Sequence, residues 1–122
     1  MSEVLLTEEI TVEGCSPPDG VVAFWTLNRP EKLNALSRDS HLAIKEQCVR
    51  IESDDSVRAV VIRGAAPPPP EEGKRSKPAA FAAGADISEF AGKSSDDVRE
   101  FFANNAWEAV WGLSKPTIAM VD

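Results

Sequence analysis

The chain has little positive charge: 13 Lys and Arg stand against 20 Asp and Glu, a formal net charge of -7. A surface of that sign disfavours general binding to nucleic acid or to anionic membranes, both of which need cations to displace counterions. Any anionic ligand must then be held locally. No apolar run approaches the length needed to cross a bilayer, so no membrane partner is expected. The opening MSEVLLTEEI has neither the basic-then-apolar order of a secretory leader nor the Arg-rich character of a transit peptide. These absences predict a cytoplasmic protein, with the mitochondrial matrix and the peroxisome left open. Only two cysteines occur, Cys15 and Cys48, far apart and outside any CxxC or Cys/His ligand spacing. Two reduced thiols and no metal site are the expectation. The single histidine, His41, has no identifiable nucleophile, metal partner or orienting carboxylate, which predicts a structural or surface role.

What is present suits one globular unit. The 122 residues are 43% hydrophobic and 27% charged, close to globular averages, and suffice for one domain over residues 1–122. A core of that size buries roughly two thirds of the surface of the unfolded chain. Strands are predicted at Ile10 to Glu13 and Val21 to Asn28, with the turn Ser16 to Gly20 between them forming a hairpin. The run from Val21 to Trp25 is apolar at successive positions, so both faces of that strand are expected to be covered. Ser37 is a plausible N-cap, and Ile44, Cys48 and Ile51 recur at i, i+4, i+7, which predicts a helix ending near Ser53. Ala59 to Ile62 reads as a strong strand. Residues 65–80 shift abruptly in composition, with Pro67 to Pro70 and then a charged run to Pro78, and predict an extended, solvated loop insertion.

A second helix is predicted after Ser94, with Asp97 completing an approximate capping box. Val98, Phe101, Phe102, Ala109 and Leu113 form one stripe of it, and Trp107 and Trp111 pair on the opposite face, so the helix is expected to be buried on two sides. Lys115-Pro116 stops it, and Thr117 to Val121 reads as a buried strand.

The run Ala82-Ala83-Gly84-Ala85-Asp86-Ile87 leaves backbone N–H groups unshielded by side chains, as a turn that binds an oxyanion or phosphate would, although such turns are more often packing devices. Two motifs decide between these readings. Leu27-Asn28-Arg29-Pro30-Glu31-Lys32-Leu33-Asn34-Ala35-Leu36 and Phe81-Ala82-Ala83-Gly84-Ala85-Asp86-Ile87 resemble motifs of the enoyl-CoA hydratase/isomerase (crotonase) family and occur in the family's order. Ser114 to Asp122 resembles the family's strand leading to a second Gly-rich motif. The resemblance covers the chain from about Ile10 onward and marks the N-terminal portion of the family.

The resemblance implies an α/β fold, here a partial crotonase-type spiral of ββα units. It implies an acyl-CoA thioester as ligand, with CoA entering as part of the substrate and no separate cofactor. Its carbonyl oxygen would be held by two backbone N–H groups, one of them matching Ala85, which stabilise the enolate as charge develops. CoA is placed beside Lys32, Leu33, Ala83, Ala85, Asp86 and Ile87. Read without the family, Lys32 is an exposed turn lysine, Asp86 caps the next turn, and Glu89 is a solvated helix-start carboxylate with no catalytic role.

The second oxyanion donor and the acid/base carboxylates of family hydratases would follow Asp122, so the isolated chain is expected to have little or no hydratase activity. The full-length form is expected to hydrate a trans-2-enoyl-CoA, with isomerisation or another reaction of the family as the nearest alternative, and to form a homo-oligomer, a trimer or hexamer. A non-catalytic binding or assembly domain is the reading from a different class. Lys74, Arg75 and Lys77, clustered in an acidic chain, are candidates for steering the anionic nucleotide end of CoA.

Overall fold

The computed structural model describes residues 3–13, 20–75, 78–103 and 105–121. The elements in chain order are β1 (Leu5–Thr11), β2 (Val21–Leu27), α1 (Arg38–Glu52), β3 (Val57–Gly64), α2 (Ser95–Ala103), α3 (Ala106–Trp111) and β4 (Thr117–Met120), with 3-10 turns at Pro30–Lys32 and Ile87–Phe90. One four-stranded sheet runs in the order β1-β2-β3-β4. β1 is antiparallel to β2, as a hairpin requires, and β2, β3 and β4 are mutually parallel, as helical crossovers require. This is the mixed α/β, strand-strand-helix order expected. Cys15, most of the Ser16 to Gly20 turn, Lys77 and Asp122 lie outside the described residues.

α1 forms where its pattern puts it. The Ser37 hydroxyl accepts the Ser40 N–H at 3.1 Å and the Ser40 hydroxyl accepts the Ser37 N–H at 3.2 Å, a reciprocal cap. Ile44, Cys48 and Ile51 are buried in one cluster with Ala23, Trp25 and Leu27 of β2 and Val60 and Ile62 of β3. The period of 3.6 thus meets the period of two across one interface. Each such aliphatic side chain removed from water contributes about 1.5–3 kcal/mol before ordering costs.

Four expectations need correction. β1 lies earlier than predicted, at Leu5–Thr11 instead of Ile10 to Glu13. Its extent is set by pairing along all of β2, from Leu5 opposite Leu27 to Thr11 opposite Val21, and only Leu5 of the strand is buried, so its own hydrophobicity carried little signal. β2 is buried on one face, through Ala23, Trp25 and Leu27, and only half-buried on the other. There Arg63 lies over the Phe24 ring at 4.9 Å instead of an apolar layer.

The predicted second helix is two. The Ser94–Asp97 capping box forms, with the Asp97 N–H donating to the Ser94 hydroxyl at 3.1 Å, but α2 ends at Ala103 and Asn105 caps a new helix by accepting the Glu108 N–H at 3.2 Å. An Asn competing for the backbone in this way resets the helical phase. Trp107 consequently packs on the core with Ala109, Val110 and Leu113, whereas Trp111 is 91% exposed. The two tryptophans do not share one covered face. Finally, β4, one of the two edge strands of the sheet, is exposed at all four residues instead of buried.

Candidate active site

β2 delivers the chain into a loop that is tied down at nearly every residue. Pro30 starts the 3-10 turn, where its missing N–H costs nothing, and the turn closes through Lys32 N–H to the Arg29 carbonyl at 2.9 Å and Leu33 N–H to the Pro30 carbonyl at 3.1 Å. Leu33 and Asn34 then adopt left-handed backbone, φ 53° and 57°. Asn tolerates that region better than most residues; Leu does not, and is held there by its neighbours. Asn34 is the centre of the arrangement and is only 2% exposed. Its Oδ1 accepts the Arg29 N–H at 2.9 Å, and its Nδ2 donates to the carbonyls of Ala65 at 3.1 Å and Ala80 at 2.8 Å. One amide therefore joins this loop, the exit of β3 and the segment leading into the Gly-Ala run. Gly64 permits the approach: a Cβ there would meet the Ala80 carbonyl oxygen at 2.4 Å and Asn34 Nδ2 at 2.8 Å.

The Gly-Ala run is laid alongside the first loop by a short parallel bridge. Ala83 N–H donates to the Leu33 carbonyl at 3.0 Å, Leu36 N–H to the Gly84 carbonyl at 2.7 Å, and Asp86 N–H to the Leu36 carbonyl at 2.9 Å. Leu36 is thereby paired with Ala85, through the residues on either side of it. In a parallel ladder the residue so flanked turns its own N–H and C=O to the other side. The Ala85 N–H is thus directed away from its bridge partner, beside Gly84 at φ 110°, a conformation that side chains resist. Such an outward amide on a fixed backbone can donate its hydrogen bond to a carbonyl oxygen that gains negative charge.

Two side chains brace the run from behind. Arg29 donates to the Ala35 carbonyl at 2.7 Å and forms an ion pair with Asp86 at 2.9 Å, both side chains largely buried. The other Asp86 oxygen caps the 87–90 turn, accepting the Ser88 hydroxyl at 2.5 Å and the Ser88 N–H at 3.1 Å. The Ser88 hydroxyl, then Arg29, hold the Asp86 carboxyl below the usual carboxylate range. Glu89, read from sequence as solvated, instead accepts the Arg38 N–H at 2.7 Å at the first residue of α1. It fastens the turn to the helix and suits the positive end of the helix dipole.

Of the residues named from sequence, Leu33, Ala83, Ala85 and Asp86 come together in this bridge. Lys32 is exposed on the first turn, and Ile87 is 79% exposed at the start of the second. Lys74 pairs with Glu71 at 2.9 Å on the loop surface, which offsets part of the charge proposed to steer a ligand. Sequence reasoning passed over Arg29, Asn34 and Gly64 as individual residues, although all three are polar or small residues at strand exits, the usual signal of a braced loop. A cleft of about 660 Å³ opens elsewhere, between α1, the 87–90 turn and α2, with Arg38, Leu42, Phe90 and Phe101 on its walls. Ala85 does not line it. The fixed outward amide offers a preorganised hydrogen-bond donor, whereas this open cleft is lined by charges of both signs. Among the described residues no group of His, Cys, Asp and Glu is arranged to hold a metal ion, and no helix is long and apolar enough to cross a membrane.

A strand-helix-strand layer that ends in a backbone amide presented by a Gly-Ala turn is a frame suited to holding an oxyanion. Residues 22–122 match the family described as enoyl-CoA hydratase/isomerase, and the chain belongs to that family. It is 39% identical over 100 residues to a carboxymethylproline synthase of Pectobacterium carotovorum, covering 80% of this chain and 36% of that protein. It is 37% identical over 106 residues to a short-chain-enoyl-CoA hydratase of Clostridium acetobutylicum, covering 85% and 36%. An enoyl-CoA hydratase crystal structure from Mycobacterium smegmatis superposes with a TM-score of 0.73 at 32% identity, over 98% of this chain and 40% of that one. The chain spans little more than a third of the length of these curated relatives and forms the N-terminal part of their fold.

Proposed function

We propose that the protein carrying this chain hydrates the double bond of a trans-2-enoyl-CoA, and that these residues supply one half of its oxyanion hole. The observation that carries the reading is the Ala85 N–H, turned outward by the Leu36–Ala85 bridge and held by the Asn34 and Arg29 braces. A donor fixed before the reaction stabilises the developing enolate without reorganisation, and one such donor is worth on the order of 3 kcal/mol. Lys32, Leu33, Ala83, Asp86 and Ile87, in or next to that bridge along the chain, are the residues proposed to meet CoA, Lys32 by charge and Ile87 by apolar contact. CoA belongs to the substrate in this reading, and no other cofactor is invoked. Relatives include a synthase as well as hydratases, so other reactions of the same enolate frame are the alternatives. A trimer or hexamer, carried over from the family resemblance, is part of the proposal.

The test is a hydration assay on the full-length protein, following loss of the conjugated enoyl thioester. Turnover that falls by about two to three orders of magnitude in Ala85→Pro, which lacks the N–H, with CoA affinity retained, supports the reading. Absence of hydration in a folded, CoA-binding wild-type protein overturns it in favour of another family reaction.

A further inference from the structure

His41 is buried, at 8% exposure, in the first turns of α1, and its Nδ1 accepts the backbone N–H of Ala106 at 2.9 Å. Ala106 is the first residue of α3 and is itself fully buried. That N–H is one of the orphan donors of a helix start, and Asn105 satisfies a different one, at Glu108. The imidazole therefore finishes the cap of α3 from another element, 65 residues earlier in the chain. The arrangement admits one protonation state only: in an imidazolium both ring nitrogens are donors, and Nδ1 would face an N–H with no lone pair to offer.

The same ring packs edge-on against Phe101 of α2 at 5.2 Å between centroids, and Phe101 in turn packs on Phe90 of the 87–90 turn at 5.4 Å. Protonation at His41 thus bears on α3 through a hydrogen bond and on the turn after Ala85 through two rings. The charged groups around this cleft are Arg38 and Lys45 of α1, Glu89 of the turn, and Lys93, Asp97 and Glu100 at or just before α2. From α3, Glu108 lies in the first turn.

We propose that His41 is a proton-sensitive latch, whose neutral ring pins the start of α3 to α1 and whose protonation frees α3 and loosens the aromatic contact with the 87–90 turn. Burial pushes the imidazole below its ordinary value of 6.5, an effect that Glu89 opposes and Lys45 reinforces. The closed state accordingly binds fewer protons than the open one. The latch is complete above about pH 6.5 and weakens as pH falls toward the lowered native value.

The experiment is hydrogen exchange of the 105–111 segment in the full-length protein between pH 7.5 and 5, corrected for intrinsic exchange, alongside an NMR titration of the His41 ring and the Ala106 amide. Protection falling by up to about tenfold per pH unit, with the Ala106 amide shift following the His41 midpoint, supports the latch. His41→Asn, whose Oδ1 keeps an acceptor that does not titrate, should flatten the dependence. Unchanged protection in the wild type, an Ala106 shift that ignores the His41 midpoint, or the same fall in a folded His41→Asn overturns it. If His41→Asn does not fold, the wild-type titration alone decides.

Discussion

Asn34 shows what one residue can do for this site. Replacing it with Ala leaves the Arg29 N–H and the carbonyls of Ala65 and Ala80 without their side-chain partner, in a place that is 2% exposed. The expected loss is about 2–4 kcal/mol of stability, because buried polar groups left unpaired retain their desolvation penalty. Equilibrium urea unfolding of the full-length protein measures it, and a loss below about 1 kcal/mol would mean that water takes over the three bonds. Cys48 is the opposite kind of residue, buried and inert. Burial, with Glu52 adding to it, pushes its thiol up to about 11. At pH 8 only about one thiol in a thousand is then ionised, so Cys48 should resist a disulfide reagent until the protein unfolds. Rapid labelling in the folded state would contradict the packing of α1 on β2. Both residues stand in the sequence in plain view, but only Cys48 sits in a periodic pattern; two of the three partners of Asn34 lie 31 and 46 residues away, at separations that no local pattern reports.

Among elements, legibility follows periodicity. α1 was readable because its cap and its apolar spacing agree, and β3 because its strand is nearly all buried in the centre. The division of α2 from α3 was not, because Asn105 is a capping residue inside an otherwise continuous apolar stripe and the stripe outweighed it. The Gly-Ala run was legible as a motif, yet its orientation depends on a bridge to Leu36 that only tertiary structure supplies. The turn that follows the bridge should respond to strong acid. Asp86 has a depressed native carboxyl, so its contribution is present above the unfolded carboxylate value and is lost as pH falls through the native one. Holding the 87–90 turn in place should therefore fail only in strongly acidic solution, well below the range in which the His41 latch acts. Asp86→Asn, which keeps the cap but not the ion pair, should remove this low-pH transition from the unfolding curve; a transition that persists would assign it to other carboxylates. Gly64→Ala acts on the same bridge from the strand side. Backbone at 2.4 Å leaves no room for the methyl, so the 80–86 segment must shift, and exchange of the Asp86 amide should rise without disruption of α1.

On the scale of the molecule, the distribution of apolar surface is uneven. The core is concentrated between α1 and β2–β3, whereas Ile118, Met120, Val121, Trp111 and Ile87 are exposed together with the whole of β4. Parallel strands are ordinarily covered on both faces, because their crossovers bring helices to them. The exposed strand and the 36% share of the Clostridium relative lead to the same expectation, that further structure of a longer protein packs here. Residues 1–122 produced alone should then bind a hydrophobic dye, self-associate, and exchange the amides of 117–121 within seconds to minutes, while α1 and β3 remain protected. In the full-length protein the same amides should be protected and Trp111 fluorescence shifted to the blue. A monomeric 122-residue product with protected β4 amides would reverse the argument: the sheet edge would be stable without cover, and a non-catalytic role for the short chain would become the better reading. The intact mass of the endogenous protein separates the two before any assay. A product near 13.2 kDa places the weight on the short chain, and one about twice that or more makes hydration of an enoyl thioester the next measurement.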